Sequence, residues 1–411
     1  MSHCNIAYVY NSSKDASVSW AALLNEDASS LRALAIMPVL DWMPSCTFPH
    51  LTHLLISFDR KTALYHPFDL LHLLINTPVL AFLHVDFLLF GGRYLGDWQP
   101  PSDLVPLRHL SSLVFTSCSY ELVHTFISRL SLPEDVFMRL QDIYNGFNFD
   151  GYPAPPILPV ALRPVTSLDL SMRGEQILMV ADGSTSGLWF EGYRDIAGAP
   201  VGWVAWLLRL HECLPLSHVT YLHVYIDGEP ICWLEFLAQM PQVSDLAVLL
   251  GGSSGPPNVK VTVLSPTTIL CRALSPSPTA PIRCPVLRSL TVEWQEEITL
   301  ETASTFLHIP AMLTGRARAG HPIRHVVVQA AWRFLSSDAG PVIPLFQYFE
   351  PLVRPDDTKY EIVKKEDGVS GLCVFNEMRD VWKIDGEDRY WDINGDIVPN
   401  ARYHLPYGVQ L

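Results

Sequence analysis

The chain has 411 residues, 49% of them hydrophobic and 17% charged, with a formal net charge of −14. That length exceeds one ordinary compact core, so two domains or one extended repeat array are expected. The acidic balance repels phosphate backbones and anionic lipid, and before position 359 Lys occurs only at Lys14, Lys61 and Lys260, which argues against nucleic acid and membranes as partners.

Taken in chain order, the first ten residues, MSHCNIAYVY, lack a basic stretch followed by an apolar run, so no signal peptide is expected there. The most apolar stretch, Leu70 to Phe90, carries His72, Asn76, His84 and Asp86. Those groups are costly in hydrocarbon, so no membrane span is expected. A cytoplasmic or nuclear location follows as an expectation, with the eight Cys read as reduced, scattered thiols.

A phrase of the form apolar-x-x-apolar-x-apolar recurs from residue 48 onward. Its copies are Leu51/Leu54/Ile56, Leu80/Leu83/Val85, Leu110/Leu113/Phe115, Val165/Leu168/Leu170, Val219/Leu222/Val224, Val243/Leu246/Val248, Leu287/Leu290/Val292 and Ile323/Val326/Val328. Pro49, Pro78, Pro241 and Pro285 stand two residues before the first apolar position. The last two apolar residues of each phrase are two apart, which puts both on one face of a strand. Asp69–Asn76, Trp203–Leu214, Trp233–Met240 and Thr302–Thr314 carry apolar residues at three- and four-residue spacing, so helices are expected before four of the strands. A helix followed by a strand buries its apolar face only by stacking on the next such unit.

These patterns predict an α/β fold of leucine-rich-repeat type. The expected form is an irregular horseshoe solenoid with a parallel sheet on its concave face. Residues 1–47 form an N-terminal cap, 48–330 the degenerate repeat array, and 331–411 a polar C-terminal cap containing β-hairpins. The cap assignment rests on charge, since residues 331–411 hold 9 Lys/Arg and 14 Asp/Glu, about twice the density of the rest. Hairpin turns are expected at Asp385-Gly386 and Asn394-Gly395. The two longest gaps between phrases are read as hiding eroded repeats near Phe137–Ile143 and Leu188–Phe190. The competing fold is a doubly wound α/β domain with similar alternation.

Three short motifs suggest chemistry. Gly251-Gly252-Ser253-Ser254-Gly255 matches a nucleophile-elbow pattern, but Pro256 and Pro257 stand where the helix behind the Ser would start. A serine hydrolase using Ser253 is kept as the weaker alternative. Asp392-x-Asn394-x-Asp396 begins like a calcium loop, yet Ile397 replaces the expected Gly and Tyr403 the closing Glu. Gly183-Ser184-Thr185-Ser186-Gly187 lacks the Lys of a phosphate loop. The close His pairs His50/His53, His218/His223 and His321/His325 have no Cys pair beside them. No enzyme, catalytic residue, metal or cofactor is expected.

The residues alternating with each apolar pair point to the opposite, concave face. Its partner-binding candidates are His84, Asp86, Asp169, Tyr221, His223, Tyr225 and Asp245, an aromatic and His-rich surface with acidic flanks.

The phrases LLHLLINTPVLAFLHV (70–85), LPLSHVTYLHV (214–224), WLEFLAQMPQVSDLAVL (233–249) and CPVLRSLTVEW (284–294) resemble the repeat region of F-box proteins of mushroom-forming fungi. The resemblance covers roughly residues 48–330. It implies a substrate receptor of a cullin–RING ubiquitin ligase, in which the repeats capture an unknown protein substrate and an F-box docks on the ligase adaptor. Residues 1–47 contain Trp20 to Leu24 and Leu31 to Leu40 but no Leu-Pro-x-Glu-like opening, so the adaptor is a partner only if an F-box is present. The alternative is an orphan interaction scaffold without a ligase link.

Overall fold

The computed structural model describes residues 6–9, 28–39, 44, 46–58, 67–86, 104–144, 158, 162–173, 176–193, 206–226, 233–250, 266–294, 308–331, 359–365 and 384–390. The chain divides into two compact units, one of residues 1–143 with 373–411 and one of residues 144–372.

Both units are α/β. In the first, six strands stand side by side in chain order: Ile6–Val9, Ala33–Val39, His53–Phe58, Phe82–Asp86, Ser112–Thr116 and the strand beginning at Phe137. Every neighbouring pair is parallel, and Leu54, Leu83, Leu113 and Met138 are register partners across four strands. In the second unit, Ser167–Arg173, Tyr221–Ile226, Asp245–Leu250, Ser289–Trp294, His325–Ala331 and Lys359–Lys365 are parallel and again follow chain order. Leu168, Leu222, Leu246, Leu290 and Val326 form one ladder across them. Strands shuffled as in a doubly wound sheet are not found among the described residues.

The recurring phrase owes its form to one turn. Leu51, Leu80, Val243 and Leu287 each donate their backbone N–H to the carbonyl three residues earlier, at 3.3, 3.2, 3.3 and 3.1 Å. The Pro of the phrase is the second residue of that turn, where a fixed φ near −65° is already correct. Leu110 and Val219 make the same bond without a Pro. The next two residues then donate both N–H groups to a single carbonyl of the preceding repeat. Ala81 and Phe82 donate to Thr52 O, Ser111 and Ser112 to Ala81 O, Ser244 and Asp245 to Thr220 O, and Arg288 and Ser289 to Ser244 O, all between 2.8 and 3.1 Å.

Helices fill the crossovers, because parallel strands cannot be joined by a tight turn. Pro67–Ile75 and Tyr120–Ile127 lie in the first unit. Trp233–Ala238, Pro266–Leu274 and His308–Arg318 lie in the second, where the middle helix packs against both others. The segment expected as a helix over Trp203–Leu214 is helical at 206–208 and then tightens to a 3-10 turn at Leu210–Glu212. All eight leading residues of the phrases are buried, as are the ladder residues.

Three expectations are corrected. Phe137–Tyr144 does supply a parallel strand, but Gly187–Tyr193 is antiparallel to Gln176–Asp182, which is antiparallel to Ser167–Arg173. The second long gap therefore holds a hairpin, not an eroded repeat. Its turn is Gly183 to Ser186, where a Cβ on Gly183 would sit 2.8 Å from Pro164 O and 2.9 Å from Ser186 O. The parallel sheet also runs past residue 330, into Lys359–Lys365. At Asp385-Gly386 the chain turns into a 3-10 helix, Glu387–Arg389, in place of the expected hairpin. Asn394-Gly395 lies outside the described residues.

One buried cation ties the helices of the second unit to their loops. The fully buried guanidinium of Arg316 donates to Leu274 O (3.0 Å), Arg283 O (2.9 Å), Cys284 O (2.7 Å) and His321 O (3.3 Å). Cys284 is held there at φ 44°, in the left-handed region that residues with a Cβ avoid. A planar fork of five N–H donors can serve four carbonyls, and an ammonium cannot.

Two stability outcomes follow. Leu222→Ala should cost about 2–5 kcal/mol in chemical denaturation, through lost burial and a residual cavity. A loss under about 1 kcal/mol would mean that the ladder is not the core. Arg316→Lys should destabilise by roughly 2–4 kcal/mol, because buried carbonyls lose their donors. Unchanged stability in that variant would show that the fork geometry is dispensable.

Candidate functional site

Alternation along each strand sends one set of side chains toward the helices and the other set to the opposite face. On that opposite face the register builds rows. In the first unit they are His53, Phe82, Ser112 and Phe137, then Leu55, His84, Val114 and Arg139, then Ser57, Asp86, Thr116 and Gln141. In the second unit Ser167, Tyr221, Asp245, Ser289 and His325 form one row, and Asp169, His223, Ala247, Thr291 and Val327 the next. The candidate residues therefore fall into two groups, one on each unit. His84 and Asp86 are neighbours on one strand of the first. Asp169, Tyr221, His223, Tyr225 and Asp245 occupy three adjacent strands of the second.

The second group is built around an ion-pair geometry. His223 Nδ1 lies 2.8 Å from Asp169 Oδ1, and both side chains are buried. A carboxylate only accepts, so Nδ1 carries the hydrogen, and Nε2 is left without a hydrogen-bond partner among the described residues. No nucleophile stands against Nε2 within that set, so the pair reads as an oriented ring and not as half of an assembled triad. Burial, followed by the charges of Asp169 and Asp245, raises the Tyr221 hydroxyl above its ordinary range. Burial and Asp169 likewise raise the Asp182 carboxyl, against a backbone N–H from Gly183 that lowers it. Tyr221 is 42% exposed and Asp245 is exposed, whereas Asp169, His223 and Tyr225 are buried. Of the five side chains, only those of Tyr221 and Asp245 are open to solvent.

In the first unit, His84 Nε2 lies 2.9 Å from Thr116 Oγ1, and Ser57 Oγ donates to Asp86 Oδ2 at 3.2 Å. His84 is buried and its pKa is pushed down to about 3, chiefly by burial and then by the nearby Arg139. The first row is held by a segment the candidate set did not include. His53 Nε2 meets Gly386 O at 2.9 Å, and Ser112 Oγ donates to Glu387 Oε1 at 2.6 Å. Their sequence separations, 333 and 275 residues, leave no periodic trace in the sequence.

Ser253 and the 392–396 motif lie outside the described residues. Among the described residues no group of three His, Cys, Asp or Glu is placed to hold a metal ion. Also within that set, no helix is long and apolar enough to cross a membrane. Cys213, Cys271 and Cys284 are buried thiols whose pKa is pushed up to about 12 by burial, which makes them poor nucleophiles.

His84 gives a pH prediction with a definite sign. Its folded pKa lies below the ordinary 6.5, so the folded state favours the neutral ring. The associated stability is complete above pH 6.5 and is lost as pH falls toward 3. By pH 4 the loss should be on the order of 3 kcal/mol. In urea titrations at pH 7 and pH 4, His84→Leu should lose less stability than the native chain by about that amount. Equal losses would show that His84 does not set the acid dependence.

No protein-family model, curated protein or solved structure matches the chain.

Proposed function

We propose that this chain is a protein-recognition module of the leucine-rich-repeat solenoid type, and that its polar sheet face captures a protein partner. The observation that carries the reading is the row Tyr221, Asp245, Ser289 and His325. These residues lie side by side on parallel strands, opposite a ladder of buried Leu and Val. Strands in chain order, several of them led in by the same turn and joined to the preceding repeat by one doubly used carbonyl, are what a stacked repeat needs. Tyr221 offers a large half-rigid contact surface, and the acidic groups around it suit a partner segment with apolar and basic residues.

The resemblance to fungal F-box proteins extends this reading to a substrate receptor of a cullin–RING ubiquitin ligase. A scaffold without a ligase link is the simpler form of the same reading.

A photo-crosslinking amino acid placed at Tyr221 should form protein adducts in cells. The same probe at Leu234, which is 51% exposed on a crossover helix, should form few. Equal labelling from both positions would sink the recognition reading. Adducts from position 221 without co-purifying adaptor or cullin would leave the recognition and remove the ligase.

A further inference from the structure

The turn Ile384–Tyr390 is the feature that the reading above does not absorb. It lies more than two hundred residues downstream of the strands it touches, and His53 and Ser112, which it meets, belong to the first unit. Its contacts are specific. Gly386 sits beside the Phe82 ring at φ +85°, in the left-handed region that a residue with a Cβ adopts only under strain. Its carbonyl accepts from His53 Nε2. The Glu387 carboxylate is buried and accepts from Ser112 Oγ, on the same face as the buried Arg139. The Tyr390 ring meets His53 edge-on at 4.6 Å, and His53 in turn stacks on Phe82 at 4.2 Å. Arg389 stands over the Tyr390 ring at 5.6 Å and is exposed.

Among the described residues the turn pairs with no strand. Its contacts include one carbonyl, one carboxylate and one ring on the face that presents His53, Phe82 and Ser112. A segment bound in this way has a high effective concentration, because it is tethered to the same chain.

We propose that the His53–Phe82–Ser112 face is a receptor for a short turn carrying glycine, glutamate and an aromatic residue, and that Ile384–Tyr390 is its resident occupant, displaced by a partner segment of the same chemistry. This rests on the recognition reading above and names its ligand on the first unit. The resident turn keeps the face closed until a competing turn is present, so capture depends on partner concentration.

The test uses the full-length chain and a fluorescent synthetic peptide of residues 384–390. Glu387→Ala weakens the resident turn, so the peptide should bind this variant at least tenfold tighter than it binds the native chain. Adding Ser112→Ala should remove that gain, and a peptide with Glu replaced by Gln should bind at least tenfold more weakly. A Glu387→Ala chain that melts like the native one and ignores the peptide would overturn the proposal. Should that variant fail to fold, hydrogen exchange on the native chain decides. The amides of Glu387 and Arg389 should exchange at least a hundredfold faster than those of Leu113 and Val114. Equal protection would make the turn a permanent part of the fold and overturn the proposal. A concentration-dependent dimer abolished by Glu387→Ala would also overturn it, by assigning the exchanged turn to a second copy. Crosslinking from Tyr221 reports on the other unit, so the recognition reading can survive failure of this one.

Discussion

A single carbonyl that accepts two consecutive N–H groups from the next repeat sets the spacing of both units. Thr52 O, Ala81 O, Thr220 O and Ser244 O each do this, and the two donors are the last residue of the lead-in and the first of the strand. The bond pair locks register before the strand ladder begins. A slip by one residue would break the pair and turn Leu222 or Leu83 to the wrong face. Burial of the ladder therefore depends on the lead-in turn as much as on the strand. That explains why the phrase extends upstream of its strand and why Pro recurs at one place within it.

The two faces of each sheet carry different risks. The helix side is apolar and is stabilised by burial at roughly 25 cal/mol per Å². The other side buries His84, Arg139, Asp169, Glu191, His223 and Glu293. Buried charges are costly unless they are paired and hydrogen-bonded, so the arrangement on this side has to be specific. Asp169 with His223 shows how the second unit meets that demand. Ser112 with Glu387 shows how the first unit does so by drawing on a distant segment.

Much of the parallel framework was legible in the sequence, because a recurring phrase with apolar residues two apart, preceded by a helical segment, points to stacked parallel strands. The strands through Leu54, Leu83, Leu113, Leu168, Leu222, Leu246, Leu290 and Val326 stand in chain order within their units. Residues 176–193 were misjudged because a hairpin and a parallel strand share the same alternation, and only the Gly183 turn separates them. The strand Lys359–Lys365 was missed because its charges hid the short alternation of Tyr360 and Ile362. At the candidate site the sequence located the facing residues but not their burial. Whether Tyr225 or His223 meets solvent depends on what lies over the strand, and nothing local encodes that. The Ser112–Glu387 contact is the extreme case, since neither residue is distinguished by its neighbours.

The place of Ile384–Tyr390 in the chain has a consequence for synthesis. A ribosome makes the first unit's strands early and this turn near the end, after the whole of residues 144–372. At about 5–20 residues per second, the interval is roughly 10 to 50 seconds. Through that time Phe82, His53 and the Ser112 hydroxyl lack the glycine, carboxylate and ring that meet them in the finished molecule. The nascent chain thus carries an open polar-aromatic patch that a chaperone or a co-translationally assembling partner can occupy before the chain's own turn exists. Translation speed through the second unit would then set how long that window lasts.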